Sequence, residues 1–502
     1  MEEKCLNEKI RRTAAKITAA LEIICSIIFG VIVHGSKLIP ARYEIAIGAV
    51  LMLVLIAVIY FTIFGKNKIL YWIFLVLSVL VSVVMIVGGI GMLQAKSTMK
   101  EITKAMEDTT EVSVYVYDAD QAQTISDAAQ YTFGILEKLD TENTQKALKE
   151  IEENLGASVE TVAYPGVAEL ADAMIDNSVQ AIILNESYLD MIAELSDLQT
   201  EQAADTETEE PKDVHDYAAF VKSLRKISGY SVVTEDGTQA DDTSFYDNGT
   251  FVMYISGIDT YGSTSKRSRS DVNILAVVNT NTKKILLVST PRDYYVPLSI
   301  SNGAKDKLTH AGIYGIQCSQ DTLGMLYGID VDYYFRLNFS GFQKIIDALG
   351  GITVNSDYTF DVDSFHYVKG DNYLNGEQAL VFARERHAFA TGDRQRGEDQ
   401  MKVIKAVFNK ATSSAVLANY TDLLASLEGT FETSMSYNTL AKLVRQQLEQ
   451  GTGWDIETYS VNGSGQSSYT YSTSNTKVYV MIPDQSTVDT AKEKIQAVLD
   501  GE

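Results

Sequence analysis

Long apolar runs dominate the first hundred residues, whereas polar residues interrupt the apolar ones at short intervals along the rest of the chain. The runs cover residues 17–33, 45–64 and 69–92. The second and third reach the roughly 20 apolar residues that a helix needs to cross a bilayer core. The first run is shorter, as a signal peptide's apolar segment could be, and contains Glu22. No small-residue cleavage site follows it, however, and two further apolar runs do. We therefore predict three membrane-spanning helices rather than a cleaved signal peptide.

Basic residues flank the predicted spans unevenly. Those that precede the first span are Lys4, Lys9, Arg11, Arg12 and Lys16. Lys66 and Lys68 lie in the second short loop, and Lys37 and Arg42 in the first loop weaken the contrast. Because cytoplasmic loops are enriched in Lys and Arg, the pattern predicts a cytoplasmic N-terminus and an extracellular location for the chain after about residue 96.

Strand-like and helix-like segments alternate between about residues 110 and 196. Residues 112–121 predict a strand, residues 143–156 a helix ended by a glycine, and residues 179–192 a strand followed by a helix. The acidic segment 198–216 contains a proline and few large apolar residues, so it predicts a linker or an exposed loop. We expect an α/β protein with a membrane anchor (1–96), an extracellular accessory domain with its linker (97–216) and a third domain (217–502).

Composition excludes several functional classes. The 502 residues carry a net charge of −24, and the anchor is positively charged, so the negative charge belongs to the exported part. General nucleic-acid binding is disfavoured, because it requires basic surface that neutralises phosphates. Three cysteines far apart in sequence predict neither a disulfide framework nor a zinc site. An anionic substrate would have to be held by a local group of cations.

A predicted hairpin supplies one such group. Two β-prone runs, 272–278 and 285–289, flank the polar stretch "NTNTKK", and a turn near Asn281 places position 271 opposite position 292. The charged residues brought to the open end are then Arg269, Asp271, Arg292 and Asp293. Carboxylates can bind Mg²⁺, and planar guanidinium groups bind phosphate oxygens bidentately. The alternative is a surface cluster of salt bridges at strand ends.

The stretch "LVFARERHAFATGDRQRGEDQMKVIKA" (380–406) supplies a second group. If Arg384 and Arg386 follow a helix in extended backbone, their side chains point to one face. Arg396 and Gln400 are one turn apart on a predicted amphipathic helix. Considered alone, the segment could be a solvated face, but together with the hairpin it favours an anion-binding site. The stretch "NFSGFQKIIDALGGI" (338–352) predicts a helix that belongs to the core.

These segments resemble the LytR-CpsA-Psr family of membrane-anchored cell-wall enzymes over roughly residues 245–410. The motifs that carry the resemblance are "RSRSDVNILAVV", "STPRDYY", "KDKLTHAGIYG", "VDYYFRLNFSGFQKIIDALGGITV", "LNGEQALVFARERH" and "GDRQRGEDQMKVI". The anchor and accessory domain look most like capsule-type members from Gram-positive bacteria. The resemblance implies a central, mostly β sheet flanked by helices and an apolar channel for a lipid tail.

The resemblance also implies an activity. Such enzymes transfer a glycopolymer, such as capsular polysaccharide or a teichoic-acid-like polymer, from a polyprenyl-pyrophosphate carrier to peptidoglycan, forming a phosphodiester link. A polyprenyl-pyrophosphate hydrolase and a noncatalytic lipid-binding scaffold of wall assembly remain alternatives. The implied partners are the lipid-linked polymer, the peptidoglycan acceptor, the membrane and other wall-assembly proteins, with no nucleic acid.

Carried over motif by motif, the resemblance assigns roles to individual residues. The expected Mg²⁺ (or Mn²⁺) ligands are Asp271 and Asp293, and the expected catalytic residues are Arg292, Asp293 and Asp393. The expected pyrophosphate-binding residues are Arg269, Arg292, Lys307, Arg384, Arg386, Arg396 and Gln400. Many family members have Arg-Gln where this chain has Asp399-Gln400. This departure either reduces the positive charge of the site or marks a capsule-type subgroup.

Overall fold

The computed structural model describes residues 2–65, 67–103, 108–205, 215–234, 248–258, 266–389, 392–413, 427, 429–451 and 453–502. Within these ranges, the side chains of residues 2–8, 102, 108, 197–205, 234 and 393 are not described. The chain forms two compact units. The first comprises residues 1–104, 408–428 and 435–453, and the second comprises residues 105–407, 429–434 and 454–502.

The helices and strands alternate after the first hundred residues. The α-helices are α1 (Glu2–Ser36), α2 (Ala41–Ile59), α3 (Lys68–Ile102), α4 (Thr141–Leu155), α5 (Val167–Ile175), α6 (Ser187–Asp205), α7 (Tyr217–Lys222), α8 (Ile316–Tyr327), α9 (Phe339–Ala348), α10 (Gly376–Arg384), α11 (Asp393–Ala411), α12 (Tyr437–Gln450) and α13 (Gln485–Asp500). A π-helical turn (Tyr60–Phe64) extends α2, and a 3₁₀ helix (Leu308–Tyr314) precedes α8.

The strands are β1 (Asp108–Tyr117), β2 (Thr132–Leu136), β3 (Glu160–Tyr164), β4 (Ala181–Asn185), β5 (Leu224–Thr234), β6 (Thr250–Ile258), β7 (Ser270–Asn279), β8 (Lys284–Ser289), β9 (Tyr295–Pro297), β10 (Lys305–Lys307), β11 (Tyr333–Asn338), β12 (Ile352–Ser356), β13 (Phe360–Val362), β14 (Phe365–Tyr367), β15 (Gly370–Leu374), β16 (Phe431–Thr433), β17 (Asp455–Ser460), β18 (Gly463–Tyr469) and β19 (Lys477–Pro483).

The first unit confirms three long apolar helices where the sequence predicts membrane spans. Lys9–Ser36, Ala41–Phe64 and Lys68–Glu101 are each long and apolar enough to cross a membrane. Asn67 starts α3 by accepting a hydrogen bond from the backbone N–H of Ile69 at 2.9 Å. The polar Glu22 is accommodated within α1 because Ser78 of α3 donates a hydrogen bond of 2.6 Å to its carboxylate.

Helix α12 also belongs to the first unit, although the expected third domain included it. Ala441 packs with Leu38 and Met99 of the anchor helices. Arg42 donates hydrogen bonds to the carbonyl oxygens of Leu448 and Glu449, at 3.0 and 2.7 Å, near the end of α12. The last carbonyl oxygens of a helix accept no hydrogen bond within that helix, so Arg42 supplies the donors for these two. The sequence around α12 does not reveal this contact.

In the second unit, an accessory sheet has the strand order β3-β2-β4-β1-β5. Alternate residues of β1 and β4 face opposite sides, so that helix α4 covers one face and helices α5, α6 and α7 cover the other. Strand β5 pairs with β1 over its whole length, although the expected boundary at residue 217 assigned it to the third domain. The accessory fold therefore extends to residue 234.

The predicted acidic linker is wrong for its first part, because helix α6 continues to Asp205. Residues 206–214 lie outside the described part of the chain. The helix is anchored on its apolar face by Tyr188, Met191, Ile192 and Leu195. The same core includes Ile313, Val478 and Val480 from beyond the accessory sheet. This shared core packs α6 against residues of the expected third domain (217–502).

The larger sheet has the strand order β16-β11-β6-β7-β8-β17. The inner pairs β6–β7 and β7–β8 are antiparallel, whereas β11 pairs with β6, and β17 with β8, in parallel. Helices α8 and α13 pack on one face, through a core that includes Leu323, Val488 and Ile495. This sheet, flanked by helices, confirms the expected α/β fold.

Candidate functional site

The hairpin register agrees with the sequence-based prediction. Ile274 pairs with Ser289 and Asn279 with Lys284, which is the register that sets position 271 opposite position 292. At the open end, an Arg292 guanidinium N–H donates to Oδ1 of Asp271 at 3.0 Å. The charged residues near the ends of β7 and β8 thus meet as predicted.

Lys307 joins this group from strand β10. Its Nζ lies 3.1 Å from Oδ1 of Asp293, and the Arg292 Nε lies 3.6 Å from Oδ2 of the same carboxylate. The backbone holds the arrangement, because the N–H of Thr309 donates to the carbonyl oxygen of Arg292 at 2.8 Å. We call Arg269, Arg292 and Lys307 the hairpin-side cations.

A second set of cations comes from helices α10 and α11, and we call Arg384, Arg386 and Arg396 the helix-side arginines. Helix α10 begins with a capping box between Asn375 and Gln378 and ends at Arg384. Glu385 follows in extended backbone, but Arg384 is still helical, so the expected extended pairing of Arg384 with Arg386 is wrong for Arg384. The guanidinium carbon of Arg384 lies 4.2 Å from the ring centre of Phe339, which favours a cation–π contact.

Helix α11 brings Arg396 and Gln400 to the hairpin end. A shared groove is lined by Asp271 and Arg292 on one side and by Arg396 and Gln400 on the other. A Cβ atom at Gly397 would lie only 3.1 Å from Oγ of Ser289, so glycine permits this close approach of α11 to β8. The two predicted groups therefore converge on one site.

Burial and charge act against each other on Asp271. Burial raises the pKa of the Asp271 carboxyl, but Arg292 and Arg269 outweigh that effect and lower the pKa below its ordinary value. The carboxylates of Asp271, Asp293 and Glu194 raise the pKa of Arg292 despite its burial. Asp271 and Arg292 are therefore both charged at neutral pH.

A cavity of about 560 Å³ connects these charges to an apolar lining. The hairpin-side residues Arg269, Asp271 and Arg292 and the helix-side arginines line it. Its apolar side chains include Ile255, Phe335, Leu337, Phe339, Phe342, Ile345, Leu380, Val403, Ile404 and Val407. A ligand that suits this cavity has an anionic group and a hydrocarbon part.

Helix α9 is a correction to the sequence-based interpretation. Its bounds and glycine stop are as predicted, with Asn338 capping its start and Gly350 and Gly351 at positive φ after its end. Its apolar residues, however, line the cavity as well as the core. Apolar periodicity shows that a face is buried, but it does not show whether the face meets side chains or an internal space.

The predicted motif also contains two acidic residues, Asp393 and Asp399. Asp393 begins helix α11, but its side chain is outside the described part of the structure. Asp399 is 1% exposed and accepts hydrogen bonds from Gln395 at 3.1 Å and from Lys402 at 2.9 Å. Burial raises the pKa of Asp399. Its partners lie on its own helix, and it is absent from the residues that line the cavity.

Glu194 of helix α6 is a site residue that the sequence did not reveal. Its carboxylate forms an ion pair with Arg269 and lies 3.8 Å from Arg292 and 3.9 Å from Lys307. Burial raises its pKa, but the three cations reverse the shift and lower that pKa to about 2. The only sequence signal is an acidic residue on the polar face of an amphipathic helix, which does not identify the surface that it meets.

The donor set is compatible with a divalent cation that is completed by a ligand. Among the described residues, no group of three or more His, Cys, Asp or Glu side chains could hold a metal ion by itself. Asp271 and Asp293 offer two carboxylates, with the hydroxyl of Thr309 3.4 Å from Oδ1 of Asp271. Mg²⁺ is commonly bound by one or two carboxylates together with substrate phosphates.

Comparisons with known proteins agree with the motifs. The profile of the LytR_cpsA_psr family matches residues 215–496. The polyisoprenyl-teichoic acid–peptidoglycan teichoic acid transferase TagU of Enterococcus faecalis is 34% identical over 217 residues, covering 41% of this chain and 71% of that protein. TagU of Bacillus subtilis is 31% identical over 216 residues, covering 43% and 69%. The crystal structure of B. subtilis TagV covers 50% of this chain and 97% of its own, at 27% identity and a TM-score of 0.44.

Proposed function

Because the chain belongs to the LytR-CpsA-Psr family, we propose that it transfers a polyprenyl-pyrophosphate-linked glycopolymer to peptidoglycan and forms a phosphodiester link. The observation that carries the proposal is the cavity of about 560 Å³, which joins an apolar lining to arginines from both sides of the site. A polyprenyl pyrophosphate combines these two chemistries in one molecule. The polymer is a capsular polysaccharide or a teichoic-acid-like glycan.

The arginines would bind and orient the pyrophosphate. Guanidinium groups form bidentate, charge-assisted hydrogen bonds with phosphate oxygens. Arg269, Arg292 and the helix-side arginines would hold the two phosphates, with Gln400 and Lys307 contributing further donors. Their fixed positive charge would stabilise the charge that develops on the phosphate oxygens during transfer.

The reaction forms one bond and breaks one. A hydroxyl oxygen of peptidoglycan attacks the phosphorus next to the sugar, and the bond from that phosphorus to the bridging oxygen breaks. The polyprenyl monophosphate leaves with the bonding electrons, and the polymer stays attached through a phosphodiester. The hydroxyl proton goes to a carboxylate, for which we propose Asp293 or Asp393.

Asp271 and Asp293 would hold Mg²⁺ or Mn²⁺ beside the pyrophosphate. When bound, such an ion supplies charge neutralisation at the phosphate oxygens. Arg292 contacts both carboxylates, through Nη1 at 3.0 Å from Asp271 and Nε at 3.6 Å from Asp293. Arg292 would thereby keep the two carboxylates oriented toward one another.

We further propose that the N-terminus lies in the cytoplasm of a Gram-positive bacterium and that the second unit is extracellular. The basic residues before the first span favour this orientation. The peptidoglycan acceptor is outside the membrane, so this orientation brings enzyme and acceptor together. Other wall-assembly proteins are proposed as partners on the same side.

The test uses the full chain in lipid nanodiscs with a labelled polyprenyl-pyrophosphate glycan and Mg²⁺, with and without peptidoglycan. We expect label on the acceptor, and its loss in Arg384→Ala. Lys344→Ala is the matched control, because Lys344 is an exposed cation of α9 that does not line the cavity. Acceptor-independent cleavage would instead support a hydrolase, and tight binding without turnover would support a scaffold.

A further inference from the structure

Helix α6 presents two carboxylates to the site from a part of the chain that precedes the family match. Tyr188, Met191, Ile192 and Leu195 bury one face of the helix in a core. Asp190 and Glu194 are one turn apart on another face, and both approach Arg269. The buried face therefore fixes which side of α6 meets the hairpin-side cations.

Glu194 already has the contacts that a phosphate oxygen would need. One carboxylate meets all three hairpin-side cations, with an ion pair to Arg269 and distances of 3.8 and 3.9 Å to Arg292 and Lys307. Glu194 also lines the same cavity as the helix-side arginines. A phosphate that binds Arg269 and Arg292 would compete for the guanidinium donors that face Glu194.

We propose that Glu194 is an affinity-determining residue of the site, an anion supplied by the accessory domain that competes with the substrate pyrophosphate for Arg269, Arg292 and Lys307. The inference rests on the proposed function, because it takes a pyrophosphate as the ligand of these cations. Binding of the substrate displaces the Glu194 carboxylate, whose side chain is 28% exposed and can turn toward solvent. Helix α6 stays in place, because its opposite face is buried.

Competition between Glu194 and pyrophosphate predicts the direction in which the dissociation constant of pyrophosphate changes when Glu194 is replaced. An apparent dissociation constant rises in proportion as the binding-competent state becomes rarer. Removing the charge of Glu194 should therefore tighten pyrophosphate binding. A residue that only positioned Arg269 would have the opposite effect, because its loss would let the guanidinium move away from the ligand.

The experiment measures the dissociation constant of inorganic pyrophosphate by titration calorimetry, with the full chain in nanodiscs. We expect Glu194→Gln to bind about tenfold more tightly, as it would if about one molecule in ten is competent in the unchanged protein. Glu194→Ala should shift the constant in the same direction, which guards against a folding defect of one variant. Glu142→Gln removes the same charge from an exposed helix position, where Lys146 is its partner, and should leave the constant unchanged.

Unchanged or weaker binding in both Glu194 variants would overturn the inference. Arg396→Gln separates this failure from a failure of the proposed function. If pyrophosphate binding depends on Arg396 and transfer occurs, but Glu194→Gln does not tighten binding, only the inference fails. If pyrophosphate does not bind, or binds without regard to Arg396, both fail. An equal gain in affinity in Glu142→Gln would show a general charge effect and would also overturn the inference.

Discussion

The family resemblance leads us to expect arginine at the position of Asp399, and Asp399→Arg tests whether this position belongs to the phosphate site. The Asp399 carboxylate is buried and pairs with Lys402 at 2.9 Å, while Lys402 also pairs with Asp357. An arginine here would place a second cation beside Lys402 in a buried position. We therefore expect Asp399→Arg to damage folding without adding a cation to the site.

The magnitude follows from the pair that is broken. Removing one partner of a buried ion pair costs about 3–5 kcal/mol. Lys402 keeps Asp357 and is 25% exposed at its side chain, so we expect a loss near the lower end, about 3 kcal/mol. Because the unfolding entropy grows with chain length, that loss lowers the melting temperature of a unit of this size by only about 4 °C. Asp399→Asn is the matched control and should lose less than about 1.5 kcal/mol, because the amide keeps the shape and an acceptor oxygen.

The assay is thermal unfolding of the full chain followed by circular dichroism, with pyrophosphate affinity measured on the same samples. The reasoning requires a lower melting temperature and no gain in affinity for Asp399→Arg. A variant with the original melting temperature and tighter pyrophosphate binding would refute it. That result would mean that residue 399 faces the phosphates and that aspartate reduces the charge of the site.

Three further predictions concern other charges of the second unit. Arg396→Gln should weaken pyrophosphate binding by roughly 10–100-fold, the loss of charge-assisted hydrogen bonds worth about 1.5–3 kcal/mol, in a calorimetric titration; an unchanged affinity would exclude Arg396 from the binding site. Glu432→Ala should destabilise the chain by about 3–5 kcal/mol, because Glu432 and Arg336 form a buried pair between β16 and β11. The double replacement Glu432→Leu with Arg336→Met should restore most of the melting temperature. A double variant that melts as early as Glu432→Ala would contradict the argument. The folded-state pKa of Glu194, about 2, lies below its ordinary value of 4.5, so its ion pairs stabilise the fold above pH 4.5 and lose that contribution as the pH falls toward 2. Glu194→Gln should flatten the stability profile over this window in acid unfolding, and an unchanged profile would contradict the pKa shift.

Local pattern was sufficient for much of the site. The hairpin turn, its register and the meeting of Asp271 with Arg292 follow from two β-prone runs around a polar stretch. The common face of Arg396 and Gln400 follows from helical periodicity, and both do line the cavity. These features depend on neighbours in sequence, which is why they could be predicted.

The domain boundaries could not be predicted in the same way. The pairing of β5 with β1 joins residues more than a hundred positions apart in sequence, and the alternation of apolar residues in a strand does not specify its partner. Helix α12 likewise packs with Leu38 and Met99 of the anchor unit, far away in the chain. Its own amphipathic pattern shows that one face is buried, but not against what.

The sequence by itself determined the three long apolar helices, the α/β class, the hairpin and the two groups of cations, because each depends on periodicity or spacing within one segment. Only the tertiary structure decided that α9 lines a cavity and that Glu194 meets three cations. The physical reason is that a charge or an apolar face acquires its role from what packs against it. In the case of Glu194, the partners come from strands and loops some 75 to more than 100 residues further along the chain.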